Sequence, residues 1–142
     1  FTFCFDTTLL NILKELLELS PRENKTKQVK LLNLSKRAKK DMIFKVRELS
    51  YNEIKNILDM AENSPKTDIK MHVVIQGVVE PSLADNKLLE HYHAPTPIEL
   101  LPKILSAGEI DDLYNIIQQL SGYKQITAQV IQQEAADLVK KN

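Results

Sequence analysis

Three times in this chain a Ser or Thr is followed three residues later by Glu and then by apolar residues: Ser50 to Glu53, Thr96 to Glu99 and Ser106 to Glu109. This is the capping-box pattern, in which the hydroxyl and the carboxylate satisfy backbone donors that a helix start leaves unpaired. The first box opens a helix through Ile54, Ile57, Leu58 and Ala61, with Leu49 and Ile54 as its hydrophobic staple, and Asn63-Ser64-Pro65 ends it. The second has Pro97 at the first helical position, where a missing N–H is no loss, and carries Leu100, Leu101 and Ile104. The third is stapled by Leu105 and Ile110, places Leu113, Ile116, Ile117 and Leu120 at core spacing, and stops at Gly122 in a left-handed cap. Ile12, Leu13, Leu16 and Leu17 continue a stripe from Leu9 at helical spacing, with Asp6 available as its cap and Ser20-Pro21 as its end. Ile126 through Val139 predicts a last helix.

Between these helices the pattern changes. Val29 to Leu34 and Met42 to Leu49 read as strands, the second with Met42, Phe44 and Val46 on one side and Lys45 and Arg47 on the other. Ser35 to Asp41 is short enough to make them a hairpin with a basic tip, and a lone hairpin must pack on helices to persist. Thr67 to Val79 is too continuously apolar for periodicity to separate helix from strand. The Thr67-Asp68 cap and the length favour helix, at a cost of about 1 kcal/mol for an interior Gly77. The predicted fold class is α+β and helix-rich, a β-hairpin or small antiparallel sheet packed against several helices. The expected organisation is one domain over 1–142, with an N-terminal helix in 1–21, a basic hairpin in 28–49 and a helical part in 50–139.

Charge is uneven although the formal total is zero: Arg22 to Arg47 holds ten basic residues against Glu23 and Asp41. Such a cationic element in an otherwise acidic chain suits an acidic protein surface or phosphates. Little else points to nucleic acid, because tryptophan is absent and no helix-turn-helix or zinc-finger pattern occurs. A nucleic-acid-binding regulatory role through the basic hairpin is therefore the runner-up. His91-Tyr92-His93 lacks HExxH spacing and a patterned third ligand, so a solvated loop pair is favoured over a metallohydrolase site. His72 lies in an apolar segment, the single Cys4 has no patterned His partner, and Asp111-Asp112 fits the first turn of a helix. Three glycines provide no phosphate loop. The reading is no enzyme, no cofactor and no metal. Phe1 to Phe5 is too short and lacks the basic flank for a signal peptide or a span, so no membrane is expected, and one cysteine suits a reducing compartment.

Four ordered blocks, Gly77 to Leu83, Ala94 to Leu101, Gly108 to Ile110 and Leu120 to Tyr123, resemble the XkdN-like family of tail assembly chaperones of contractile-tailed phages and defective prophage elements. The Leu34 to Ile54 region looks similar too. Gln76 and Ser82 stand where acidic residues are expected, Tyr92-His93 replaces a more usual Phe-Gly, and Ala107 replaces a common proline. The resemblance implies a non-catalytic protein of the bacterial host cytoplasm. Its partners would be the tape measure protein, which it keeps from aggregating, and tail tube protein subunits, which it helps recruit. Coating the tape measure in many copies also leaves room for self-association. Lys36, Arg37, Lys39 and Lys40 are the candidate partner contacts, with Tyr92 and Pro95 behind them.

Overall fold

The computed structural model describes residues 11–123 and residue 128. It is helix-rich α+β: seven helices and a three-stranded antiparallel sheet among the described residues. α1 covers residues 11–18, β1 Thr26–Lys30, α2 Leu32–Ala38, β2 Ile43–Arg47, α3 Tyr51–Asn63 and α4 Ile69–Gly77. β3 Val78–Glu80, α5 Asn86–His91, α6 Pro97–Ile104 and α7 Ala107–Leu120 complete the order. Asp6 as a cap and the helix expected over Ile126 to Val139 lie outside the described residues. Among the described residues no helix is long and apolar enough to cross a membrane.

The expected cap signals operate as local chemistry requires. Ser50 and Glu53 form a complete capping box, as do Ser106 and Glu109. At Thr96 only half of the box is present, the side chain accepting from the Glu99 N–H. Asp68 opens α4 by accepting from the Met71 N–H. Gly122 sits at φ 90 just past α7, the left-handed position its lack of a Cβ suits.

β2 is the middle strand and pairs antiparallel with both neighbours, Thr26 opposite Arg47 on one side and Val46 opposite Val78 on the other. Its alternation is the expected one: Phe44 and Val46 are buried against the helices, with Lys45 and Arg47 on the opposite face. The core gathers these with Ile57 of α3, Val73 and Val74 of α4, Leu100, Leu101 and Ile104 of α6, and Leu113 and Ile117 of α7. α4 and α7 pack so closely that a Cβ on Gly77 would overlap Ile117 Cδ1 and come within 2.9 Å of its Cγ1. The glycine is there for that approach.

Several expectations need correction. The first strand does not run to Leu34; it ends at Lys30, and the supposed basic tip is mostly the helix α2. Leu31, Leu34 and Ser35 are buried together at helical spacing, so burial of that face outweighs the weak strand alternation. Thr67 to Val79 is both helix and strand, changing at Gly77 as Val78 pairs with Val46. Of the solvated histidine pair expected in a loop, only His93 lies outside a helix: His91 is the last residue of α5 and Tyr92 its C-cap, with Asp85 capping the start through the Lys87 and Leu88 N–H groups. Of the apolar residues that mark α3, Ile57 is buried and Leu58 is half exposed. The α1 stripe forms as a helix, yet Ile12, Leu13, Leu16 and Leu17 stay more than half exposed.

Glu48 fastens the entry to β1. Its buried carboxylate accepts from Arg22 Nη2 at 2.6 and 2.8 Å and from the Lys25 N–H at 3.0 Å, while its own N–H donates to the Lys25 carbonyl. Burial pushes the Glu48 carboxyl up, but the Lys25 N–H and the Arg22 guanidinium together outweigh it and hold the group below the usual carboxylate range.

Candidate protein-interaction surface

The basic segment acquires its shape from α2. No side chain on α2 itself or just before it caps this helix, since its N-cap is Leu31. The missing acceptor comes from a distant element: Glu109, in the first turn of α7, accepts the Leu34 N–H on Oε2 at 3.1 Å. Its Oε1 accepts from the Ser106 N–H at 3.1 Å and the Ser106 hydroxyl at 3.2 Å. One buried carboxylate therefore caps two helices. Asn33 adds a bond from Nδ2 to Ser106 Oγ at 3.2 Å.

The other end of α2 is fastened as well. Ser35 Oγ accepts from the Met42 N–H at 2.9 Å, and Lys39 takes the left-handed conformation at φ 60 with its N–H on the Ser35 carbonyl. Arg37 Nη1 donates to the Ile104 carbonyl at 2.7 Å, filling an acceptor that the C-terminus of α6 leaves open. Lys36, Lys39 and Lys40 are exposed and line a shallow cleft of about 390 Å³ together with Lys30, Leu32 and Asp41. Lys30 pairs with Asp41 at 3.0 Å in the open. The result is a fastened ledge carrying three lysines, with the Arg37 guanidinium bonded back to the end of α6.

Tyr92 and Pro95 are not part of that cleft. Pro95 lines a separate hollow with Leu89, Glu90, His93 and Ala94. Tyr92 is half-buried, stacks edge-on against His91 at 4.8 Å and offers its carbonyl to Lys103 Nζ at 2.8 Å. His91 and His93 are both exposed, and no group of three or more His, Cys, Asp or Glu able to hold a metal occurs among the described residues.

Sequence reasoning missed an apolar groove of about 340 Å³ between α3, α4 and the end of α7. Leu49, Ile54, Leu58, Ile69, Tyr114 and Tyr123 are among its walls. Ser121 also lines it, accepting the Leu49 N–H at 2.9 Å and donating to the Ile117 carbonyl at 2.8 Å. The available signal was Leu49 and Ile54 flanking one capping box, with Ile117 and Tyr123 at the end of the helix that another opens.

Fold and surface together define a class: a small helix-rich α+β protein whose distinctive features are a fastened basic ledge and an apolar groove. A model of the phage XkdN-like tail assembly chaperone family matches residues 13–136, and the chain belongs to that family. Membership implies protein partners in phage tail assembly. The crystal structure of the protein YqbN has a similar fold, with a TM-score of 0.57 and 19% identity over 75% of this chain and 93% of that one. No curated protein matches the chain.

Proposed function

We propose that the chain binds the tape measure protein, keeps it from aggregating and assists tail tube assembly, acting in the host cytoplasm without catalysis. The family match over residues 13–136 carries this reading. A long, partly apolar client needs a chaperone that offers apolar surface and complementary charge. The ledge and the groove are surfaces of those two kinds. Lys36, Lys39 and Lys40 are the proposed charged contacts, Tyr92 and Pro95 weaker ones on a separate face, and Arg37 a support for the ledge. Tail tube subunits are the second proposed partner.

The nucleic-acid alternative loses part of its basis. Of the ten basic residues from Arg22 to Arg47, Arg22, Lys30, Arg37 and Arg47 bond to groups within the chain. Their charge is partly spent in the fold.

Co-expression with the tape measure gene tests the proposal. The tape measure protein should remain soluble and co-purify with this chain. A tape measure protein equally soluble without it refutes the chaperone role.

A further inference from the structure

β1 is an edge strand: one side pairs with β2, and among the described residues no strand pairs with the other. The pairing fixes which backbone groups face outward. The Glu48 N–H donates to the Lys25 carbonyl at 2.8 Å and the Leu31 N–H to the Met42 carbonyl at 3.0 Å, so Lys27 and Val29, in step with them, turn their N–H and C=O groups to β2. Thr26, Gln28 and Lys30 turn theirs the other way, which makes a template for another strand. Side chains follow the same period: Lys27 and Val29 share the face of Val46 and Phe44, and Thr26, Gln28 and Lys30 share that of Arg47, Lys45 and Ile43.

A hollow of about 400 Å³ adjoins this edge at Val29 and Lys30, between the end of β1, the start of α2 and one face of α7. Val29, Leu31 and Ile116 give it apolar wall, and Gly108 lines it with backbone alone. Packing does not require that glycine. Gly108 has no left-handed φ, glycine is a poor helix residue, and among the described residues no atom lies within 4 Å of where its Cβ would stand.

We propose that an extended acidic segment of another protein adds to the outer edge of β1 as a fourth strand and places one apolar side chain in the hollow beside Val29. Strand addition draws affinity from main-chain hydrogen bonds and selectivity from pockets that take alternate side chains. Charge sets the pattern. Lys25 and Lys27 are exposed, precede Val29 at the two-residue spacing of one strand face, and have no acid beside them in Thr26–Lys30. Carboxylates opposite them meet opposite charge, whereas Asp112 on the wall of the hollow disfavours an acid there. The same lysines argue against a second copy, because two β1 edges side by side would bring like charges together. This site does not require the tape measure protein as its partner.

Fluorescence anisotropy and amide exchange on the full chain test it. The probe is a capped nine-residue peptide with a central valine and threonine alternating with glutamate on either side, symmetric so that strand direction does not matter. It should bind and slow exchange at the Gln28 and Lys30 N–H groups. Only alternate N–H groups of an added strand face β1. Of two N-methylated versions, one on threonines and one on glutamates and valine, one should therefore keep its affinity and the other lose at least tenfold. Lysine in place of glutamate should cost a similar factor. Gln28→Pro removes an outward N–H without breaking the ladder to β2, and Gly108→Leu puts a side chain into the hollow. Each should weaken binding at least tenfold with unchanged circular dichroism. The proposal is overturned by unchanged exchange at Gln28 and Lys30, or by binding of both N-methylated peptides or of neither. A lysine peptide that binds equally well, full affinity in either variant, or an oligothymidine that binds more tightly than the probe overturns it as well. The exchange and N-methyl readouts use the wild-type chain and decide the matter if a variant fails to fold.

Discussion

Truncating Glu109 to alanine should damage a helix 75 residues upstream of it. The side chain is buried and accepts three hydrogen bonds, from the Leu34 N–H, the Ser106 N–H and the Ser106 hydroxyl. A hydrogen bond to a charged partner contributes about 1.5 to 3 kcal/mol, and a buried donor left without an acceptor loses the larger part of that. Ser106 is exposed and water can replace its acceptor, whereas Leu34 is buried in the core. The expected loss for Glu109→Ala is therefore about 3 kcal/mol, which corresponds to a fall in Tm of roughly 10 °C for a chain of this size. Glu109→Gln keeps one oxygen but turns an NH2 toward one set of donors, and should cost about 1 to 2 kcal/mol. Urea unfolding followed by circular dichroism measures the total, and amide hydrogen exchange locates it. Exchange at Leu34 and its neighbours in α2 should accelerate more than exchange in α3, which has its own capping box. A cost for Glu109→Ala below about 1 kcal/mol, or α2 protection that falls no further than that of α3, would refute the shared-cap argument.

Other positions give separate checks. Gly77→Ala should destabilise by about 1 to 3 kcal/mol despite alanine's better helix propensity, because Ile117 is fully buried and cannot yield; Ile117→Val, which removes Cδ1, should restore part of the loss in a double-mutant cycle. The Arg47 guanidinium, helped by the Ser50 N–H, overcomes burial and holds the Glu53 carboxyl down at about 2, against 4.5 ordinarily. Its stabilisation is present above the ordinary value and lost as pH falls toward 2, so the wild type should lose about 1 to 2 kcal/mol over that window more than Glu53→Gln does in parallel urea titrations. Lys36, Lys39 and Lys40 changed together to glutamate should slow capture of the tape measure protein roughly tenfold at low salt while leaving Tm nearly unchanged. Arg37→Ala should do the reverse, lowering stability by about 1 to 2 kcal/mol through the loss of its bond to the Ile104 carbonyl, as thermal melts would show.

What could be read from the sequence follows the range of each interaction. The capping boxes at Ser50 and Ser106 were legible because donor and acceptor lie three residues apart, and the face of β2 because alternation is local. α2 was not, because its cap comes from Glu109 and only the short Leu31, Leu34, Ser35 pattern marks its buried face. α5 escaped notice because six residues carry too little periodicity, although Asp85 caps it. The turn from α4 to β3 was hidden in one apolar run, because the pairing of Val78 with Val46 that starts the strand lies 32 residues away in the chain. The surface divides in the same way. The basic residues of the ledge were visible as charge, but Arg37's engagement with Ile104 depends on a contact 67 residues away. The groove needs α3, α4 and α7 assembled before it exists.

The two-helix cap at Glu109 also orders events during synthesis. α2 leaves the ribosome long before the residue that completes its first turn. At about 5 to 20 residues per second, several seconds separate translation of Leu34 from that of Glu109. Through that interval the lysines are present but their platform is incomplete. A newborn chain thus cannot offer the finished ledge until the Gly108-Glu109-Ile110 block has been made and α7 has docked, which ties readiness for a partner to the synthesis of an element far downstream of the lysines.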